Sequence, residues 1–172
     1  APGDYNTRVL LLIDGNRAND NLYDQAYLGS EFPLDVALID RVEFVPGQAS
    51  AVYGANALFG VINVVTKAPR ASDTLQVELA AGSFGQRSVR LGDTFALPGD
   101  TLVQWSLSRG GLEGEDVPAF GTVTLHGDVE QRTTAYLKLR HGELTATALH
   151  QDRTKGNPAS LDTIAGDPRT RN

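Results

Sequence analysis

The chain has no cysteine, no methionine and a single tryptophan in 172 residues. Without cysteine, disulfides, thiolate metal sites and cysteine nucleophiles are excluded. Positive charge is also scarce, with 15 Lys and Arg against 21 Asp and Glu and a formal net charge of −6. No basic stripe is available to neutralise phosphates, which argues against a nucleic-acid partner. No apolar run approaches the roughly 20 residues of a transmembrane helix. The mean hydropathy of −0.22 would suit a water-soluble protein, but transmembrane β-strands escape that test because only alternate residues face lipid. Catalytic signatures are missing too. There is no phosphate-binding Gly-rich loop, no His-Glu-x-x-His and no Gly-x-Ser-x-Gly elbow. His126, His141 and His150 are widely separated, with no carboxylate spacing to make a ligand set. Asn19-Asp20-Asn21 lacks the glycine and distal glutamate of a calcium loop. No enzyme, metal site or cofactor is therefore expected. The chain opens on Ala-Pro-Gly-Asp-Tyr and stops at Thr-Arg-Asn, and it reads as a piece of a longer protein.

What the sequence does contain is concentrated first in Val45 to Lys67, V-P-G-Q-A-S-A-V-Y-G-A-N-A-L-F-G-V-I-N-V-V-T-K. Gly47, Gly54 and Gly60 punctuate it, and glycine goes where the backbone turns left-handed or is closely approached. Before it, Arg8 to Asp14 is a continuous apolar run closed by Asp14-Gly15, the pattern of a buried strand and a turn. Asn16 to Pro33 is polar and irregular and reads as a long loop, a common place for function. Leu34 to Ile39 suits one helical turn. Asp40 to Val45 alternates as a strand, Gln48 to Tyr53 suits a short helix, and Gly60 to Thr66 is another apolar strand. Asp14 and Asp40 sit where turns expect aspartate.

From Thr74 the period becomes two. Val77 and Leu79 alternate with Gln76 and Glu78; Val89 and Leu91 with Ser88 and Arg90; Val103, Trp105 and Leu107 with Gln104, Ser106 and Ser108. Arg132 to His141 and Leu144 to Arg153 follow, joined at Gly142-Glu143. A connection from about Gly110 to Gln131 holds a candidate short strand at Thr122 to His126. Lys155 to Asn172 reads as another loop. Alternation alone leaves two architectures open: a soluble β-sandwich, the commoner class, and an outer-membrane barrel built of segments about ten residues long.

Four ordered blocks decide between them. L-L-L-I-D-G (Leu10 to Gly15), I-D-R-V-E-F-V-P-G (Ile39 to Gly47), A-S-A-V-Y-G-A-N-A (Ala49 to Ala57) and G-V-I-N-V-V-T-K (Gly60 to Lys67) resemble the second half of the plug domain of TonB-dependent outer-membrane receptors. The alternating region, including A-G-S-F-G (Ala81 to Gly85), resembles the first strands of that family's barrel. The fold implied is an α+β plug half-domain over 1–68, followed over 69–172 by antiparallel transmembrane β-barrel strands of a partial, unclosed barrel. Whole receptors of this kind close about 22 strands around the plug. The resemblance implies energy-coupled uptake of a scarce nutrient, a ferric siderophore, haem or cobalamin, across the outer membrane of a Gram-negative bacterium. Its implied partners are TonB, through a box upstream of this segment, the iron-chelate, haem or cobalamin ligand, and outer-membrane lipid. The alternative function is a soluble β-rich binding or adhesion module.

The resemblance also assigns residues. The loop after L-I-D-G occupies the plug apex that faces the ligand pocket, so Arg17, Asn19, Asn21, Tyr23 and Tyr27 are its candidate ligand-binding residues. Aromatic bodies with polar tips suit such a half-wet site. Arg41 and Glu43 are candidates for ionic contact with the barrel wall. Asn56 and Asn63 are expected to satisfy buried backbone groups. One departure stands out: the family often has V-R-G-P where this chain has Val45-Pro46-Gly47-Gln48. Loop lengths orient the strands, with Leu97 to Asp100 and Gly142-Glu143 as periplasmic turns. Val77, Leu79, Val89, Leu91, Val103, Trp105, Leu107, Ala135, Leu137 and Leu139, with Leu75, are then the lipid-facing row.

Overall fold

The computed structural model describes residues 7–21, 23–47, 57–72, 74–114, 117–119, 122–124 and 129–156. The short helix expected over Gln48 to Tyr53, Asn56 and His126, and the loop beyond 156, lie outside the described residues. The chain divides into two compact units, Ala1–Ala68 and Pro69–Asn172.

The first unit is built on a four-stranded sheet. Strands β1 (Val9–Ile13), β2 (Asn16–Arg17), β3 (Ile39–Pro46) and β4 (Gly60–Thr66) stand in the order β2-β1-β4-β3. The apolar runs of β1 and β4 pair in parallel at the centre, from Val9↔Gly60 to Ile13↔Val64. Parallel neighbours need a long connection, and here it carries the apex loop, β3 and the Gly-rich segment. Leu10, Leu12, Ala57 and Val61 form one core cluster, and Leu11 on the opposite face is wholly buried. Gly60 has no alternative, because a Cβ there would lie 2.9 Å from the Val45 carbonyl oxygen. Asp14 and Gly15 both take positive φ, +49° and +78°. Two successive left-handed residues match the turn preferred by a two-residue hairpin, and they join β1 to β2 through Ile13↔Asn16. The helical turn expected at Leu34 to Ile39 is a 3₁₀ turn at Val36–Leu38, capped by the Asp35 side chain accepting from Ala37 N at 2.9 Å.

The second unit is an antiparallel meander. Strands β5 (Gln76–Ala81), β6 (Arg87–Leu97) and β7 (Thr101–Leu112) are followed by a short pair, β8 (Val117–Ala119) and β9 (Thr122–Thr124), then by β10 (Glu130–His141) and β11 (Leu144–Lys155). The five long strands form one sheet in the order β11-β10-β7-β6-β5. The connection between β7 and β10 is shorter than expected. Strand β7 continues through Gly110 and Gly111 to Leu112, and β10 begins at Glu130, because the ladder holds Gly110↔Arg132 and Leu112↔Glu130. Backbone pairing tolerates a glycine that side-chain pattern reads as loop. β11 likewise runs two residues past Arg153.

Unbroken register sorts the side chains. Val77, Leu91, Leu107 and Ala135 form one cross-strand row, and Phe95, Val103 and Leu139 another on the same face. Gln104, Ser106, Thr134, Tyr136 and Lys138 lie on the opposite face. Exposure runs against the usual soluble pattern: Leu79 is 76% and Leu144 74% exposed, while Tyr136 is 3% and Lys138 7% exposed. The polar face also carries the ion pairs Arg90–Glu78 at 2.9 Å and Arg153–Glu130 at 3.1 Å. A sandwich would cover the apolar rows instead. An apolar face turned outward over a polar face turned inward is the wall of a transmembrane barrel, and it matches the lipid-facing row read from the sequence.

Leu107 lies mid-strand in that outward row. Leu107→Arg is expected to destabilise the full-length protein refolded in liposomes by roughly 2–4 kcal/mol, whereas Leu107→Phe leaves it nearly unchanged. Denaturant unfolding followed by tryptophan fluorescence reads the difference.

Candidate functional site

The apex loop is held by side chains that substitute for strand pairing. Because β2 is only two residues long, it leaves part of the β1 edge without a backbone partner. Asn19 fills that role. Its Oδ1 accepts from Leu11 N at 2.8 Å, and its Nδ2 donates to Val9 O at 3.1 Å and Asp24 O at 2.8 Å. Ala18 N donates to Leu11 O at 2.9 Å beside it. Asn19 is accordingly 7% exposed. Asp20 then closes a small turn, its two carboxylate oxygens accepting from Tyr23 N at 2.7 Å and Gln25 N at 2.9 Å. Arg17 pairs with Asp24 across the loop.

The five ligand-site candidates therefore divide. Arg17, Asn21 and Tyr23 are exposed on the same turn, Tyr23 at 69%. Tyr27 is half-buried. Burial, then the negative charges of Asp20 and Asp/Glu neighbour Glu31, hold its phenol above the ordinary tyrosine value, so it remains a neutral O–H donor. Asn19 has its amide engaged with backbone on every side. Sequence reasoning assigned no role to Asp20 or Asp24. Their positions three residues before Tyr23 and seven after Arg17 were the available signal for an Asx turn and a cross-loop pair.

Arg41 and Glu43 stand two residues apart on one face of β3 and bind each other, Nε to Oε1 at 2.9 Å. Arg41 also reaches Asp40 at 3.0 Å. Glu43 Oε2 accepts from Asn63 Nδ2 at 2.9 Å, and Asn63 Oδ1 accepts from Gly15 N at 3.1 Å. A relay thus crosses the sheet from the edge strand to the apex turn, and Asn63 satisfies a backbone group as expected. The Asn63 hydrogen bond, then Arg41, hold the Glu43 carboxyl below the usual range. On the other side of the turn, Asp14 accepts from Thr66 N at 2.7 Å and Thr66 Oγ1 at 2.6 Å. Among the described residues no group of three His, Asp or Glu side chains is placed to hold a metal ion.

The geometry gives a small mixed sheet presenting a side-chain-pinned loop, followed by a sheet whose outward apolar face is that of a transmembrane barrel wall. Residues 3–61 match the sequence model of the TonB-dependent Receptor Plug Domain. The chain is 34% identical over 111 residues to the vitamin B12 transporter BtuB of Vibrio vulnificus, covering 64% of this chain and 18% of that protein. In structure it is similar to the pyoverdine outer membrane receptor FpvA of Pseudomonas aeruginosa, with a TM-score of 0.65 at 23% identity over 85% of this chain and 21% of that one. The ferric yersiniabactin uptake receptor FyuA of Yersinia pestis is also similar, with a TM-score of 0.61 at 20% identity over 88% and 23% of the two chains. The chain thus spans about a fifth of the length of these proteins. Residues 3–61 thus match the plug domain of TonB-dependent receptors, proteins of the Gram-negative outer membrane, and the fold of the chain is plug followed by barrel strands.

Two outcomes follow for the site. Asn19→Ala strands Leu11 N and Val9 O and is expected to cost roughly 1–3 kcal/mol, while Tyr23→Ala stays within about 0.5 kcal/mol; denaturant midpoints compare them. Glu43 has a folded pKa lowered from its ordinary value, so its contribution is complete above that value and is lost as pH falls through the lowered one. The stability difference between wild type and Glu43→Gln should hold steady at neutral pH and shrink only on acidification below the ordinary glutamate range. A difference independent of pH there would contradict the relay.

Proposed function

We propose that the whole protein imports a scarce nutrient of the ferric siderophore, haem or cobalamin class, with energy delivered by TonB and without covalent chemistry. In this reading residues 1–68 are the C-terminal part of the plug and 69–172 the first strands of the barrel. The apex loop is the plug's contact with ligand. Arg17, Asn21, Tyr23 and Tyr27 supply a cation, an amide and two aromatic faces with hydroxyl tips, which suits a large, polar, ring-bearing chelate. Asn19 acts beneath them by fixing the loop to β1. Arg41 and Glu43 contribute on the plug's flank, toward the wall, as a pair whose ionic contacts are exchangeable with water. Such contacts release more readily than a dry core.

The observation that carries the reading is the pinned loop itself. Asn19 and Asp20 spend their polar groups on backbone and Arg17 pairs with Asp24, so the tyrosines and Arg17 are presented in a fixed arrangement, which lowers the ordering cost of binding. The names of the relatives, a vitamin B12 transporter and siderophore receptors, support the ligand class.

The test is uptake of labelled cobalamin, haem and a panel of ferric siderophores by cells expressing the full-length receptor. One ligand should accumulate, only with TonB present and the proton gradient intact. Tyr23→Ala and Tyr27→Ala should each weaken its binding by about tenfold, near 1.4 kcal/mol. Accumulation that survives loss of TonB would indicate a passive pore and sink the proposal.

A further inference from the structure

At the loop end of the second unit, the outward face changes character. The apolar rows end at Leu79 and Val89, with one arginine level with them and a second one row above. Arg87 heads β6 in the row Arg87↔Gly111↔Gln131, and Arg109 lies one row below in Val89↔Arg109↔Thr133. The two are diagonal neighbours on one face, and such diagonals stand roughly 7–8 Å apart at the backbone. Two guanidinium side chains at that spacing converge on one anion with ease. Between them Gly111 contributes no side chain, and the opening is a groove of about 370 Å³ lined by Arg87, Val89, Arg109, Gly111 and Gln131.

The charges are poorly compensated by protein. Arg87 meets Glu113 only at 3.8 Å, with both side chains largely exposed, a geometry worth little in water. Among the described residues no carboxylate pairs with Arg109. Like charges held as diagonal neighbours repel, and an anion between them removes that cost. The groove is also well framed: Phe84 O accepts from Glu113 N at 3.1 Å and Gly114 N at 3.2 Å, tying the β5–β6 turn to the end of β7.

We propose that Arg87 and Arg109 bind the phosphate headgroup of an anionic lipid in the outward leaflet. The apolar residues beside and below them, Leu79 and Val89 in the row of Arg109 and Leu91 and Leu107 in the next, take its acyl chains. The continuity of cationic groove and exposed apolar field on one face selects an amphiphile over a soluble anion. Arginine suits a phosphomonoester because its planar fork binds two oxygens at once. The proposal rests on the membrane-wall reading of this sheet, with its short turns at the periplasmic side.

The test uses the full-length receptor in phosphatidylcholine nanodiscs doped with a bis-phosphorylated glucosamine lipid or with the same lipid stripped of phosphate. Native mass spectrometry counts lipid retained on the released protein. Wild type should keep the phosphorylated form about tenfold better than the stripped form. The double variant Arg87→Ala, Arg109→Ala should lose that preference. Arg70→Ala, away from the groove, should retain it, and heat-modifiable migration on gels confirms that each variant is folded. Equal retention of the two lipids, or a preference that persists in the double variant, overturns the site. Displacement of the lipid by inorganic phosphate at millimolar concentration would make it a soluble-anion site and equally overturn the lipid assignment. A wild-type receptor that never enters the bilayer would instead remove the wall reading, a failure recognisable before any lipid is counted.

Discussion

The pleat of a strand sends successive side chains to opposite faces, so register decides which residues meet lipid and which meet the lumen. One residue of slip in β6 would move Leu91 and Phe95 inward and Arg90 outward. The second unit depends on the absence of such slips. From β5 to β11 the ladder runs without a bulge, and each apolar row stays on one face across successive strands. Arg90 and Glu78, opposite one another on the inward face, reinforce that choice. Turning either strand over would place a charged pair in hydrocarbon, where no water can repay its desolvation.

The first unit solves a different problem. A plug must be compact, and its sheet is too small to enclose a large core. Side chains therefore perform work that backbone ladders do elsewhere. Asp14 caps the end of β4 through Thr66, Asn63 holds the Gly15 amide, and Asn19 completes the edge of β1. Each of these short polar side chains satisfies backbone groups that would otherwise be left without partners. The consequence is positional: the turn that launches the apex loop is fixed from both sides of β4, so the loop's exposed aromatics inherit the order of the central strands.

Strands were legible in the sequence where one local pattern sufficed. The β4 bounds, the Asp14-Gly15 hairpin and the outward rows of β6, β7 and β10 all follow from apolar runs, alternation and turn residues within a few positions. What escaped was set by partners distant in sequence. Asn19 looks like any polar loop residue, and its burial depends on β2 being too short to cover β1. The Arg41–Glu43 pair was visible by spacing, but its link to Asn63 needs the β3–β4 register. Gly110 and Gly111 read as loop because pattern registers side chains, while strand membership there is decided by backbone pairing with β10. Arg109 follows Val103, Trp105 and Leu107 at the same parity, and the row Val89↔Arg109↔Thr133 fixes its neighbours on the apolar face.

The departure at Val45-Pro46-Gly47 gains a physical meaning from the same topology. Pro46 ends β3, the outer strand of its sheet, where a missing N–H interrupts no ladder. An arginine at this position would add a charge to that edge, and no charged residue takes its place: Arg41 and Glu43, the nearest on the strand, already neutralise each other. The exposed surface beside them is apolar, formed by Val42, Phe44 and Val45. A strand edge of that composition invites pairing with other chains, and proline together with an inward-compensated charge pair are among the devices that blunt it. The charge lost at Pro46 therefore shifts this side of the plug toward shape and apolar contact, leaving the Arg41–Glu43–Asn63 relay as its main electrostatic feature.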